Sequence, residues 1–382
     1  MKKVFSLFLS VLFLFGALCF SSYAAEFKDE LECRSAILIE ASTMNVLYEK
    51  NADTAYPPAS VTKIMTLLLV CEAIDSGKTS LTDTVSASDN ASKMGGSQVY
   101  LKAGEQMTVS DMIKSVAVAS ANDCAVALAE HISGSESSFV VQMNEKAKQL
   151  GMKNTNFENV TGLDDTTKNH VTSARDIAIM SAELLKHKYI FDYTTIWMDT
   201  IRNGAFGLTN TNRLIRFYKG ANGLKTGMTA KAGFCISAAA KRGDMQLIAV
   251  IMGAPNRDKR NAAASKLLDF GFANYGIYKV ESSELAPVRL TGGVIPKIKV
   301  KHGDFSALLP VNDIKTVSYE TEIPESVSAP LKTGDVIGRI EFFSNGKPIG
   351  ETEITAGEDA YKIGFKDMFI KLLSKFLMIK KN

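Results

Sequence analysis

The stretch Pro57-Pro58-Ala59-Ser60-Val61-Thr62-Lys63-Ile64-Met65-Thr66, continuing apolar through Leu67 to Val70, decides how this chain is read. A proline costs nothing at the start of a helix, where its missing N–H would have no partner. The spacing therefore predicts a helix opening at or next to Ser60, with Lys63 three residues on and on the same face. A serine at a helix start with a lysine one turn later usually marks solvated surface. Here Ile64, Met65, Leu67, Leu68, Leu69 and Val70 make the following turns apolar nearly all round, which predicts burial. A lysine at the mouth of a buried helix sets a base within reach of a hydroxyl nucleophile.

Outward from that stretch, residues 1–24 read as an export signal. Lys2 and Lys3 precede an apolar core from Val4 to Phe20, and Ser22 and Ala24 supply the small residues of a cleavage site. The run is too short for a membrane span, and a lipid attachment at Cys19 is disfavoured by the bulky Leu18 before it. Two of the 44 basic side chains lie in this segment, so the remainder nearly balances the 41 acidic ones. Such a surface offers no basic field for nucleic acid, and no nucleic-acid partner is expected. Roughly 357 residues remain, enough for two domains with separate cores. Cys33, Cys71, Cys124 and Cys235 are too few and too irregularly spaced for a disulfide scaffold or a metal knuckle. They read as buried free thiols with one disulfide left open, and neither a metal nor a cofactor is expected.

Ser35 to Glu40 and Val46 to Glu49 read as a hairpin. Helical spacing then covers Met107 to Val118, and Ser120-Ala121-Asn122 interrupts it before a helix from Ala125 to Ile132 with Asp123 as its cap. Helices are also expected over residues 139–150, 174–185 and 262–273, with an irregular loop from Asn154 to His170. Ala221 to Gly227, Gly233 to Ala240 and Leu247 to Met252 read as neighbouring strands, and the small residues Gly233, Ser237, Ala238 and Ala239 suit close packing of helices. Beyond Tyr278 short alternating pieces between glycine and proline turns predict an all-β module.

Three short motifs carry chemistry, and each occurs twice. Ser60 to Lys63 is SxxK, Ser120 to Asn122 is SxN, and Lys225-Thr226-Gly227 is KTG. The duplicates are Ser344 to Lys347 in a hairpin turn, Ser88 to Asn90 in a polar loop, and Lys332 to Gly334 in a turn of the β module. Only the first set has a buried helix or a small-residue strand behind it. That set is also in the order and with the separations found among penicillin-recognising serine enzymes.

On PASVTKIMT (58–66), GGS (95–97), SANDCAVALAEHISGS (120–135), Gly162-Leu163 and NGLKTGMTAKAGF (222–234), the chain resembles the low-molecular-mass penicillin-binding proteins, serine-type D-alanyl-D-alanine carboxypeptidases. The resemblance implies an α/β (α+β) transpeptidase-like catalytic domain over 25–280, a sheet flanked by helices with an all-helical subdomain holding Ser120. A small all-β, sandwich-like domain over 281–356 and an amphipathic membrane-associating helix over 357–382 follow. It further implies Ser60 as the acylated residue, Lys63 as its base and Ser120 as a proton relay. Asn122 would hold the substrate backbone, and the N–H groups of Ser60 and Met228 would form the oxyanion hole. Lys225, Thr226 and Gly227 would bind the terminal carboxylate of a peptidoglycan stem peptide, with β-lactams as inhibitors.

Two positions depart from the family pattern. Thr211 stands in NTNRLI where some members carry an arginine, and Met228 follows KTG where others have histidine. Arg260 and Arg213 are the candidates for the carboxylate. A β-lactamase would need a loop glutamate in an ExxLN run, which the residues after Glu158 do not supply. An endopeptidase or a non-catalytic penicillin sensor would keep the same three motifs.

In the tail, Phe365, Met368, Phe369, Leu372, Leu373, Phe376 and Ile379 fall on one helical face. Six lysines against Asp367 alone lie between Lys362 and Asn382. An apolar face with a cationic back suits the outer surface of the cytoplasmic membrane, lying in its plane instead of spanning it.

Overall fold

Alternate residues of the first strand, Ser35–Glu40, enter two different cores, which is why Ala36 to Ile39 are apolar without interruption. Ile37 and Ile39 face one core, while Ala36 and Leu38 face the other. The computed structural model describes residues 26–376, so the export signal and the last six residues lie outside the described residues. The first strand pairs with Val46–Lys50 and with Met245–Ala254, and Gly233–Arg242 and Ala221–Thr229 complete a five-stranded antiparallel sheet. At the hairpin turn the buried Glu40 carboxylate accepts the N–H groups of Ser42 and Thr43 at 3.0 and 2.8 Å.

Helices cover both faces of this sheet, as expected for strands buried on two sides. On one face the Arg257–Asn274 helix lies so close that a Cβ on Gly271 would come within 2.5 Å of Leu247. On the other, the Ala174–Leu184 helix is tied to the sheet by Ser181 and Ser237, whose hydroxyls are 2.8 Å apart. The Lys63–Asp75 helix runs through that second core, buried from Lys63 to Cys71. It separates the sheet from a helical subdomain that includes Asn122–Ser133 and Glu136–Gln149.

Several boundaries differ from the sequence reading for local reasons. Met107 to Val118 is not one helix: Gln106–Thr108 is a strand, Thr108 caps a helix over Val109–Lys114, and a wide π turn, Ser115–Ala119, follows. Asp123 is not a cap, because the helix opens one residue earlier, at Asn122. Its buried carboxylate instead receives the N–H groups of Val99 and Leu101, both at 3.0 Å. The last long helix starts at Arg257, capped by Asn256, since its first turn is charged and lacks apolar spacing. All four described cysteines are free thiols, with burial pushing Cys71 up to about 12 and Cys235 up to about 11.

The β module is a six-stranded sheet with a core of its own. Strand Tyr275–Val280 pairs with Phe305–Pro310 of the module. At the far end Ala360 is buried and Ala360 and Lys362 bridge to Leu331 and Gly293. The terminal helix, Phe365–Phe376, therefore begins later than residue 357.

Candidate active site

Ser60 sits within a single 3-10 turn, Ala59–Thr62, that feeds directly into the Lys63–Asp75 helix. The turn is entered through Ala59 at φ +50°, a left-handed conformation that costs a non-glycine residue on the order of 1–3 kcal/mol. Lys63 folds back so that its Nζ donates to Ser60 Oγ at 2.9 Å and to the Thr161 carbonyl at 2.8 Å. The ammonium form is disfavoured there: burial holds the Lys63 pKa well below the usual lysine value, and the charge of Lys225 lowers it further.

The Thr161 carbonyl belongs to a loop wound around Asn159, whose Oδ1 accepts the N–H of Gly162 at 2.7 Å. Gly162 adopts φ +82°, and a Cβ there would lie 1.8 Å from the Ala59 carbonyl oxygen. Gly162→Ala is accordingly expected to destabilise the protein by about 2–5 kcal/mol, combining left-handed strain with overpacking. Thermal unfolding reads the loss, and acylation by a labelled penicillin should slow in parallel because the same contact backs the Ser60 turn.

Ser120 also takes a left-handed conformation, φ +64°, at the exit of the π turn, and π turns recur at functional sites. Its Oγ is buried with no hydrogen-bond partner among the described residues, and the same is true of Asn122 Oδ1. The other end of Asn122 is fixed, with Nδ2 donating to the Gly95 carbonyl and its backbone N–H donating to that of Ser97, both at 2.7 Å. The Gly95-Gly96-Ser97 segment is thus a wrapping for Asn122. A buried polar atom left open is costly unless a ligand completes it.

On the third side, the Ala221–Thr229 strand presents Lys225, Thr226, Gly227 and Met228. A Cβ on Gly227 would come within 2.8 Å of Ser60 N, so only glycine lets the strand reach the Ser60 amide. Lys225 is buried, donates to the Thr226 carbonyl at 2.9 Å, and is pushed down to about 7 by burial and then by Arg260. Thr226 Oγ1 donates to Thr211 Oγ1 at 2.8 Å, so the residue standing in place of an arginine is part of the site. Met228 lies on the rim, exposed.

A cleft of about 720 Å³ joins these walls. Ser60, Ser120, Thr226, Gly227, Met228 and Arg260 line it directly, with Lys63, Asn122 and Lys225 buried around them. Arg213 and Arg257 line the same end as Arg260, and among the described residues none of the three has an ion-pair partner. Sequence reasoning missed Trp197 and Phe217, which close this end with Arg216 stacked over both. Neither lies near a motif, so no spacing signal pointed to them. The duplicate motifs stay outside: Ser88 caps a four-residue helix, Ser344 ends a hairpin strand, and the Lys332 N–H donates to Asp335 in a turn.

The family model for "D-alanyl-D-alanine carboxypeptidase" matches residues 22–256, well over half of the chain. The chain belongs to the D-alanyl-D-alanine carboxypeptidase family. A second model, "Penicillin-binding protein 5, C-terminal domain", matches residues 297–362. D-alanyl-D-alanine carboxypeptidase DacF of Bacillus subtilis (strain 168) is 42% identical over 384 residues, covering 96% of each chain. Penicillin-binding protein 5 from Haemophilus influenzae superposes with a TM-score of 0.76 at 31% identity, over 88% of this chain and 100% of the other. Penicillin-binding protein D2 from Listeria monocytogenes, in an ampicillin-bound form, gives a TM-score of 0.60 at 31% identity over 65% of this chain and 100% of the other. By family the protein is a serine-type D-alanyl-D-alanine carboxypeptidase, a penicillin-recognising α/β enzyme with a C-terminal all-β domain.

Proposed function

We propose that Ser60 attacks the carbonyl between the two terminal D-alanines of a peptidoglycan stem pentapeptide, forming an acyl-enzyme and releasing D-alanine. The observation that carries this reading is the 2.9 Å contact between Ser60 Oγ and a buried Lys63 whose charged form is disfavoured. Neutral Lys63 takes the hydroxyl proton, and Ser120, with its Oγ open, passes a proton to the leaving amine. Asn122 Oδ1 accepts an N–H from the substrate backbone. The Ser60 and Met228 N–H groups hold the developing oxyanion, where losing one donor generally costs about 2.7–4 kcal/mol. Thr226, Lys225 and Arg260 take the terminal carboxylate, a charge-assisted arrangement that favours a free C-terminus over an internal bond. Water then completes hydrolysis of the ester.

β-Lactams enter by the same route, as strained amides carrying a carboxylate. A β-lactamase reading is disfavoured because the Glu158 carboxylate accepts the N–H groups of Lys168 and Asn169 at the base of its own loop, at 2.8 and 3.1 Å. The enzyme would act on the cell wall outside the cell after removal of residues 1–24. The 281–356 module would serve as a spacer, and the tail as a contact with the outer face of the cytoplasmic membrane.

The test is twofold. Benzylpenicillin should leave a mass adduct on Ser60, and a stem pentapeptide should release D-alanine. An adduct on Ser88 or Ser344 defeats the assignment. Adduct without D-alanine release would favour a sensor, and cleavage of cross-linked dimers in preference to pentapeptide would favour an endopeptidase.

A further inference from the structure

Behind the Ser60 turn, on the side away from the cleft, three buried groups form a line that the proposed chemistry does not use. The Glu158 N–H donates to His170 Nδ1 at 3.0 Å, which leaves the ring proton on Nε2. His170 Nε2 is 2.8 Å from Thr62 Oγ1, and with Nε2 as donor the hydroxyl proton of Thr62 is free for the Ala59 carbonyl, 2.9 Å away. Thr62 and His170 are both buried, and burial drives the His170 pKa down to about 4, so the imidazole is neutral near pH 7. The line ends on the residue whose left-handed backbone turns Ser60 toward Lys63. The loop closed by His170 also carries the Thr161 carbonyl that receives Lys63. One segment thus braces the hydroxyl from behind and the amine from the side.

We propose that Thr62 and His170 are positioning residues for acylation: the Nε2–H of His170 orients the Thr62 hydroxyl onto the Ala59 carbonyl and so fixes the Ser60 turn against Lys63. This rests on Ser60 being the acylated residue. Neither side chain lines the cleft, so their loss should reach the covalent step while sparing ligand binding. A displacement of about an ångström at a reacting atom costs on the order of 100-fold.

The experiment uses the full chain and measures, with a fluorescent penicillin, the dissociation constant of the initial complex and the rate constant of acylation separately. Thr62→Val, which keeps the shape and loses the hydroxyl, should slow acylation about 10- to 100-fold with initial binding unchanged. Thr62→Ser should restore most of the rate. His170→Gln, whose amide nitrogen can sit where Nε2 was, should keep more activity than His170→Phe. Adding His170→Phe to Thr62→Val should cost little more, since both cut one line. Thr62→Val acylating at the unaltered rate overturns the proposal, as does Thr62→Ser behaving like Thr62→Val. A rate that simply tracks thermal stability across the set also overturns it. If Thr62→Val does not fold, the comparison of His170→Gln with His170→Phe decides, and equal rates for those two count against it. Failure of the underlying reading looks different: the unaltered protein itself would then carry no adduct on Ser60.

Discussion

Lys63→Arg should lower the acylation rate constant by about 10²- to 10⁴-fold, the usual contribution of a positioned general base, while Lys225→Arg should leave most of it intact. The two lysines are both buried, yet they face opposite demands. In the proposed reaction Lys63 would have to give up its proton before accepting one from Ser60, and arginine cannot do so near neutral pH. In the same proposed reaction Lys225 would serve as a cation, which arginine preserves. Its replacement should therefore mainly weaken peptide turnover, through a bulkier fit at the carboxylate end.

The pH dependence separates them further. Burial and the Lys225 charge depress the Lys63 pKa, so the working neutral amine is present above that pKa and is lost as the pH falls through it. Acylation should rise with pH and then level off. Lys225 works the other way: pushed down to about 7, it loses its charge as the pH rises past neutrality in the free enzyme. A bound carboxylate favours the charged form and pulls that proton back. For a peptide with a free C-terminus, kcat/KM should consequently be bell-shaped, and Lys225→Arg should remove the alkaline limb. Equal losses of acylation in the two variants would count against separate roles, as would an alkaline limb that survives in Lys225→Arg.

Much of this site is legible in the amino-acid sequence because its parts are local. Ser60 with Lys63, Ser120 with Asn122 and the Lys225-Thr226-Gly227 run each carry their chemistry within three residues, and the apolar or small residues beside them signal burial. The central strands are legible for the same reason, since residues buried on two faces leave an uninterrupted apolar run. What stays hidden depends on distant chain. Asp123 has the local look of a helix cap, but its carboxylate serves the Val99–Leu101 backbone, which no local spacing signals. The acceptor for Lys63 is a backbone carbonyl, at Thr161, and a carbonyl leaves no mark on sequence. Thr62 and His170 lie 108 positions apart. Trp197 and Phe217 join the cleft only because the segment before the KTG strand folds over its end.

Removing the terminal helix should move the enzyme from the membrane fraction to the medium almost completely, with D-alanine release unchanged. Among the described residues, the apolar side chains of Phe365–Phe376 do not pack on the protein's own core. Exposure runs from 46% at Leu373 to 86% at Phe376, with Phe365 at 85%. So long an unpartnered apolar face is unusual in water and suits a lipid interface. No helix among the described residues is long and apolar enough to cross a membrane. The place of the cut matters. Ala360 is buried in the β module, Lys362 bridges to Gly293, and the Ile363 N–H donates to the Gly292 carbonyl at 2.8 Å. A truncation at residue 360 would strip the module of these contacts and confuse release with unfolding, so the chain should end at Gly364. That protein should unfold at the same temperature as the full chain and acylate at the same rate. Truncated enzyme that still sediments with membranes would place the anchor elsewhere, and a fall in unfolding temperature would return the helix to the fold.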